Sequence, residues 1–231
     1  MLNVIYEDNH IIVVVKPHNM PSQADDSKDL DLLTSVKNYI KEKYNKPGEA
    51  FVGLVHRLDR PTGGLMVFAK TSKAASRLSK QIQEHSTKKV YYAVVDGNLR
   101  AEQGTLVNYL KKDEKNNIVK IVTQSEVGAK KAELDYKVLE KKGNLSLLEI
   151  ELKTGRSHQI RVQLNGIGLP IYGDIKYNQK ETGKQKTGLA LWAGRLEFNH
   201  PVSKERLVFI ASPDASKEPW NKFYIEKYFV R

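Results

Sequence analysis

Residues 54–70 read LVHRLDRPTGGLMVFAK. Two apolar arms, residues 52–55 and 65–69, are rich in β-forming side chains. Between them stand His56, Arg57, Asp59 and Arg60, then Pro61, Thr62, Gly63 and Gly64. Short apolar runs on either side of turn residues spell strand, loop, strand. Pro61 fixes its own φ and carries no N–H, and the glycines admit backbone angles that other residues avoid. The outcome is a rigid loop in which cationic or titratable neighbours surround one carboxylate, Asp59. A plain hairpin with a solvated Arg–Asp pair would use the same residues, because surface ion pairs are common and worth little.

Outward from this loop the chain alternates strands and helices. Residues 4–6 and 11–15 are β-rich and separated by a turn at Glu7-Asp8-Asn9. Lys16-Pro17 ends the second strand, where Lys16 could face a phosphate, and residues 22–29 read as a polar, loose segment. Residues 30–44 place Leu32, Leu33, Val36, Tyr39, Ile40 and Tyr44 at helical spacing, and Lys46-Pro47-Gly48 stops that helix. Thr71-Ser72 offers a cap for a second helix reaching about His85, with Ala75, Leu78 and Ile82 inside and Lys73, Arg77 and Lys80 in solvent. Residues 90–95 read as a buried strand on which Tyr91 and Tyr92 face opposite sides.

Four further strands follow at 106–110, 118–122, 132–139 and 145–152, with charged turns at 111–117 and 140–144. After them, Gly155 breaks the strand, Ser157 can cap, and Ile160 and Leu164 share a helix face. The N-terminus of that helix favours an anion, and Arg156, His158 and Arg161 add to its field. Taken alone, Arg156 and Arg161 read equally as surface cations, His158 as a satisfied buried histidine and Gln159 as a spacer. Residues 176–186 form a polar, basic loop, which reads as solvated and equally as a surface for a polyanion. Strands at 189–193, 196–198 and 207–211 close the sequence, with a turn at His200-Pro201. A short terminal helix bearing Trp220, Phe223 and Tyr224 covers the core. Consecutive strands imply antiparallel pairing, so the fold class is α+β, a mixed, largely antiparallel sheet core with flanking helices. No internal repeat or low-complexity linker divides the chain, and a single domain over 1–231 is expected.

Composition narrows the partners. The chain of 231 residues is 40% hydrophobic, enough for a real core, and has no cysteine, which rules out disulfides and thiolate metal sites and fits the cytoplasm. No stretch approaches the ~20 apolar residues of a membrane helix, and the N-terminus does not have the pattern of a signal peptide. A formal charge of +11 favours a polyanion, nucleic acid first and an anionic membrane surface second.

HRLDRPTGG at 56–64, followed by LMVFAKT, closely resembles the signature of the RluA family of pseudouridine synthases. The family usually has T-S-G where this chain has Thr62-Gly63-Gly64, so a Ser is replaced while Asp59 stays in place. Three more blocks match in order: Lys16-Pro17, KVYYAVVDG at 89–97, and the pair LKTGRSHQIRVQL and GLPIYGD across 152–174. The resemblance runs from about residue 4 to about residue 212. It implies isomerisation of uridine to pseudouridine in ribosomal or transfer RNA by a cytoplasmic, monomeric, stand-alone catalytic domain that needs no cofactor and no metal. It makes Asp59 the essential catalytic residue, sets Tyr91 against the target base and pairs Arg156 with Asp59. His56, Arg57, Arg60, Lys89, His158, Gln159 and Arg161 are the expected substrate contacts. With no separate RNA-binding segment before the first strand, this domain would supply its own RNA contacts.

The chemistry suits these residues. The reaction breaks C1′–N1, turns the uracil and rejoins it through C5. A carboxylate can act as nucleophile or steer deprotonation at the sugar, and the sequence leaves both routes open. An adjacent Arg keeps such a carboxylate charged and oriented. A base or ordered water near Tyr91 would take the C5 proton. The uridine must first leave its stack, and Arg57 is the candidate to fill the gap. A catalytically inert RNA-binding module of the same fold would have no need of Asp59. A metal nuclease wants clustered acids and a glycosidase a carboxylate pair, and in these motifs only Asp59 is well placed.

Overall fold

The computed structural model describes residues 2–45, 47–178 and 188–230. In chain order the elements are β1 (Asn3–Glu7), β2 (Ile11–Lys16), α1 (Leu32–Lys43), β3 (Gly53–Leu54), β4 (Gly63–Ala69), α2 (Ser72–Gln83), β5 (Lys88–Asp96), β6 (Gln103–Asp113), β7 (Ile118–Val122), β8 (Lys130–Lys142), β9 (Leu145–Leu152), α3 (Gln159–Gly166), β10 (Leu191–Asn199) and β11 (Arg206–Ile210). They group into two compact units, Met1–Lys88 with Ala193–Ala211, and Lys89–Trp192 with Ser212–Val230.

In the first unit the strand order is β1-β2-β4-β10, with β11 on β10 and β3 on β4. Asp8 makes the β1–β2 turn, because its Oδ1 accepts the backbone N–H groups of His10 and Ile11 at 2.7 and 2.8 Å. β2 and β4 run antiparallel with Val13 opposite Val67 and Lys16 opposite Gly64. Both strands are almost wholly buried, which explains their unbroken apolar sequence. Ile11, Val13, Leu65 and Val67 pack with Ala74 and Leu78 of α2 and with Leu196, Phe198 and Phe209. The helix starts follow from local chemistry. The Asp31 carboxylate caps α1 by accepting Thr34 N–H at 3.0 Å, and Thr71 Oγ1 caps α2 by accepting Ala74 N–H at 3.2 Å.

Two expectations for this unit change. The strand expected over 52–55 shrinks to β3, two residues. The strands expected at 189–193 and 196–198 are one strand, β10. Gly194 does not interrupt it, since the Gly194 carbonyl accepts Ala211 N–H at 3.0 Å. The glycine that geometry demands is Gly64. Its φ is +122°, and a Cβ there would lie 2.3 Å from the Ala193 carbonyl oxygen.

In the second unit the order is β5-β9-β8-β6-β7, and every one of these neighbours pairs antiparallel. Val162 of α3 packs with Leu110, Val119 and Ala132 beside Tyr177. The chain ends in two 3-10 turns, Trp220–Lys222 and Ile225–Tyr228, in place of the expected helix. Trp220 and Phe223 are buried as expected, but Tyr224 is 73% exposed. Phe229 instead lies on the Tyr92 ring, with centroids 4.3 Å apart.

Candidate active site

The Asp59 loop belongs to the first unit, and its backbone is tied down residue by residue. Thr62 N–H donates to the Asp59 carbonyl at 2.9 Å, closing the turn. Three side chains from the end of β2 and the segment after it reach the loop. Ser22 Oγ donates to the Leu58 carbonyl at 2.7 Å and accepts Leu58 N–H at 3.1 Å. His18 Nδ1 lies 2.8 Å from the Pro61 carbonyl, which places a proton on that nitrogen. Lys16 Nζ donates to the carbonyls of Arg60, Pro17 and Met20 at 2.9, 3.1 and 2.6 Å.

Lys16 is therefore not at a phosphate. It is 0% exposed, and its ammonium gathers two loops. Burial pushes its pKa down to about 7, against the pull of the Asp59 charge and with the push of Arg60. The start of the segment expected to be loose is equally firm, because Pro21 and Ser22 are buried while the chain is exposed from residue 23 onward.

Around this anchored backbone the side chains divide. Asp59 is half-buried and Arg57 exposed. Arg60 pairs with the exposed carboxylates of Asp29 and Asp25, an arrangement of little energetic weight. His56 Nε2 accepts Val67 N–H at 3.1 Å, so that nitrogen carries no proton and the ring is held to β4. Thr62 Oγ1 is buried with no hydrogen-bond partner.

The second unit carries the other motif residues. Tyr91 is buried opposite Ile150. Its neighbour Tyr92 sits opposite Glu149 and donates to it at 3.2 Å, against the tail. Lys89 shares the Tyr91 side of β5 by alternation and is half-buried, and burial lowers its pKa. Its Nζ lies 3.7 Å from where a Cβ on Gly155 would stand. Arg156 is exposed and donates Nε–H to the Lys131 carbonyl at 2.9 Å.

Three expected substrate contacts turn out to be committed to the scaffold. Gln159 is buried and splints the loop before α3. Its Oε1 accepts Thr154 Oγ1–H at 2.8 Å and Arg156 N–H at 3.0 Å, and its Nε2 donates to the Glu133 carbonyl at 3.0 Å. His158, not Ser157, is the residue that starts α3. It holds φ at +51° with no side-chain cap, and its Nδ1 is 2.6 Å from Tyr177 Oη. Arg161 is 4% exposed and grips Asp174 through Nε and Nη2 at 2.8 and 2.7 Å. The Tyr177 ring lies 5.0 Å from the Arg161 guanidinium carbon, and its hydroxyl accepts Val119 N–H at 2.9 Å. The sequence reading missed Ser22 and Tyr177. The only sign of Asp174 was its place in the GLPIYGD block. Residues 179–187 of the basic loop lie outside the described residues. At its start, Lys176 donates to the Asn117 carbonyl at 3.0 Å.

Residues 10–166 match the model of the RNA pseudouridylate synthases. The chain belongs to that family. Membership makes it an RNA-modifying isomerase. Among its relatives, the uncharacterized RNA pseudouridine synthase YhcT of Bacillus subtilis is 34% identical over 212 residues, covering 90% of this chain and 67% of that protein. Ribosomal large subunit pseudouridine synthase D of Borreliella burgdorferi is 34% identical, covering 85% and 60%. Ribosomal large subunit pseudouridine synthase C of Vibrio cholerae is 30% identical, covering 93% and 67%. The chain thus spans about two thirds of the length of these pseudouridine synthases. Among solved structures, human RNA pseudouridylate synthase domain containing 4 superposes with a TM-score of 0.78 at 21% identity, covering 95% of this chain and 90% of that one. Its counterpart domain containing 1 gives 0.74 at 23%, covering 93% and 84%. These likenesses establish the α+β fold of pseudouridine synthase domains. No helix among the described residues is long and apolar enough to cross a membrane.

Proposed function

We propose that Asp59 is the carboxylate that drives uridine isomerisation, and that the substrate is ribosomal RNA. The observation that carries the first part is the anchoring of the Asp59 loop. Backbone atoms of Leu58, Arg60 and Pro61 are each held by a side chain from the 16–22 segment, while Asp59 itself is left half-buried. A nucleophile or base held by so fixed a main chain starts from its reactive geometry, and such positioning accounts for a large part of enzymatic rate enhancement. The second part rests on relatives named for the large ribosomal subunit. Transfer RNA is the alternative substrate.

In this reading Arg156 is the cation that orients Asp59, and Tyr91 meets the target base. Arg57, exposed two residues before Asp59, fills the space the flipped uridine leaves. Residues 1–231 act as one catalytic domain, monomeric and cytoplasmic. The uracil leaves C1′, turns and returns through C5; the C5 proton is released to solvent and N1 takes up a proton in its place. Release of tritium from RNA carrying 5-tritiated uridine reads that last step. Asp59→Asn should abolish tritium release while RNA affinity and melting temperature stay near wild type. Turnover within tenfold of wild type would remove Asp59 from the chemistry. Mapping pseudouridines by carbodiimide primer extension in cells lacking the gene decides between ribosomal and transfer RNA.

A further inference from the structure

Ser22 sits in a stretch whose composition promises only a surface loop, yet it is 6% exposed and makes an unusual contact. One hydroxyl serves both backbone groups of Leu58. It donates to the carbonyl at 2.7 Å and accepts the N–H at 3.1 Å, as a neighbouring strand would. Met66 Sδ, 3.6 Å away, is the weaker acceptor, so the single hydroxyl proton goes to the Leu58 oxygen.

Ser22 is itself well fixed. Its carbonyl accepts Leu33 N–H at 3.2 Å and that of Pro21 accepts Leu32 N–H at 2.9 Å, which seats the segment on the first turn of α1. That helix is capped by Asp31 and buried through Leu32, Val36 and Ile40. A continuous path therefore runs from a buried helix through one hydroxyl to Leu58, whose side chain is also buried. Arg57 and Asp59 are its two chain neighbours. Rotation of the Leu58 peptides would swing both side chains at once.

We propose that Ser22 is a positioning residue for the reaction: by holding both backbone groups of Leu58, its hydroxyl fixes the direction in which Asp59 and Arg57 leave the chain. This rests on the assignment of Asp59 as the reacting carboxylate. A displacement on the order of 1 Å can cost a hundredfold in rate without a comparable loss of binding. The effect should therefore fall on kcat and leave KM nearly unchanged.

The test compares Ser22→Val with Ser22→Thr, two side chains of the same shape that differ in the hydroxyl, alongside Ser22→Ala and Asp59→Asn. Tritium release is measured at least 15 °C below each melting temperature, giving kcat and KM separately. Ser22→Val and Ser22→Ala should lower kcat by roughly ten- to a hundredfold with KM within threefold of wild type. Ser22→Thr should recover kcat to within threefold. Equal kcat in the Val and Thr variants would overturn the proposal, as would a loss confined to KM. If neither Val nor Ala yields folded protein, the bond is a folding element and the proposal is likewise overturned. Asp59→Asn separates the two claims. If it retains turnover, the carboxylate assignment fails. If it abolishes turnover while Ser22→Val matches wild type, only the role of Ser22 fails.

Discussion

Arg161 offers the sharpest quantitative test, because the family motif suggests a substrate contact and the structure buries it. Its guanidinium meets Asp174 at 2.8 and 2.7 Å, with the two side chains 5% and 1% exposed. Asp174 also accepts the backbone N–H groups of Lys176 and Tyr177 at 3.1 and 3.2 Å. Arg161→Met would take both guanidinium donors from a buried carboxylate and leave it, among the described residues, those two backbone donors. Removing one partner of such a pair costs about 3–5 kcal/mol. At roughly 2–4 °C per kcal/mol for a chain of this size, the melting temperature should fall by about 6–20 °C. Asp174→Leu should cost a similar amount, since it removes the two-oxygen acceptor from a buried guanidinium.

The double variant Arg161→Met/Asp174→Leu removes both charges and fills the space with apolar groups. Such replacements of buried pairs are often neutral or stabilising, so most of the loss should return and the two sites should couple by several kcal/mol. Urea unfolding of the four proteins measures this cycle. Single variants within 1 kcal/mol of wild type, or a double variant as unstable as the sum, would refute the burial argument. RNA affinity in the double variant gives the functional side. If the pair belongs to the scaffold, affinity stays near wild type. If Arg161 binds a phosphate, its removal weakens affinity and makes it less dependent on salt.

Two further outcomes follow from the first unit. Glu7 accepts hydrogen bonds from Lys43 and Lys70 at 2.6 Å and from Tyr44 Oη at 2.8 Å. Burial alone would raise its pKa, but these donors outweigh it and hold the carboxyl at about 2. A depressed folded-state pKa contributes stability in full above the unfolded value near 4.5 and loses it as pH falls through 2, a contribution of about 3 kcal/mol. Glu7→Gln should therefore flatten the decline in urea stability between pH 5 and pH 2, and an unchanged slope would refute the pairing. Gly64→Ala would place a Cβ 2.3 Å from a β10 carbonyl at a φ of +122°. Strain and strand displacement together should cost at least about 3 kcal/mol, and a melting temperature within 2 °C of wild type would show the strands are free to part.

Element type was legible wherever periodicity and caps agreed. The apolar runs of β2 and β4 and the capping residue of α2 stand in the sequence as they stand in the fold. The misreadings concern atoms brought together from distant positions. Lys16 looks like any lysine at a strand end, and nothing local shows that the carbonyl of Arg60, forty-four residues on, will receive its proton. Ser22 lies thirty-six residues before Leu58 and among polar neighbours. The two short strands expected at 189–193 and 196–198 run on as one β10, while Gly64, in a turn motif, is a glycine that the packing cannot replace.

The motif residues teach a more general point. A side chain that holds a backbone amide and one that meets a substrate both require a particular atom at a particular place, so a family signature preserves both kinds without distinguishing them. In this chain His56 holds the amide of Val67, Gln159 splints the loop at Arg156, and Arg161 neutralises Asp174. Arg57 and Arg156 keep exposed side chains, and Asp59 is half-buried on a main chain fixed from outside its own motif. Burial and bonding therefore separate the signature residues that hold the scaffold from those left exposed or half-buried, on which the proposed reaction draws. The loss expected at Asp59 is therefore one of turnover, that at Ser22 reaches turnover through the backbone it holds, and those at Arg161 and Gly64 fall on stability.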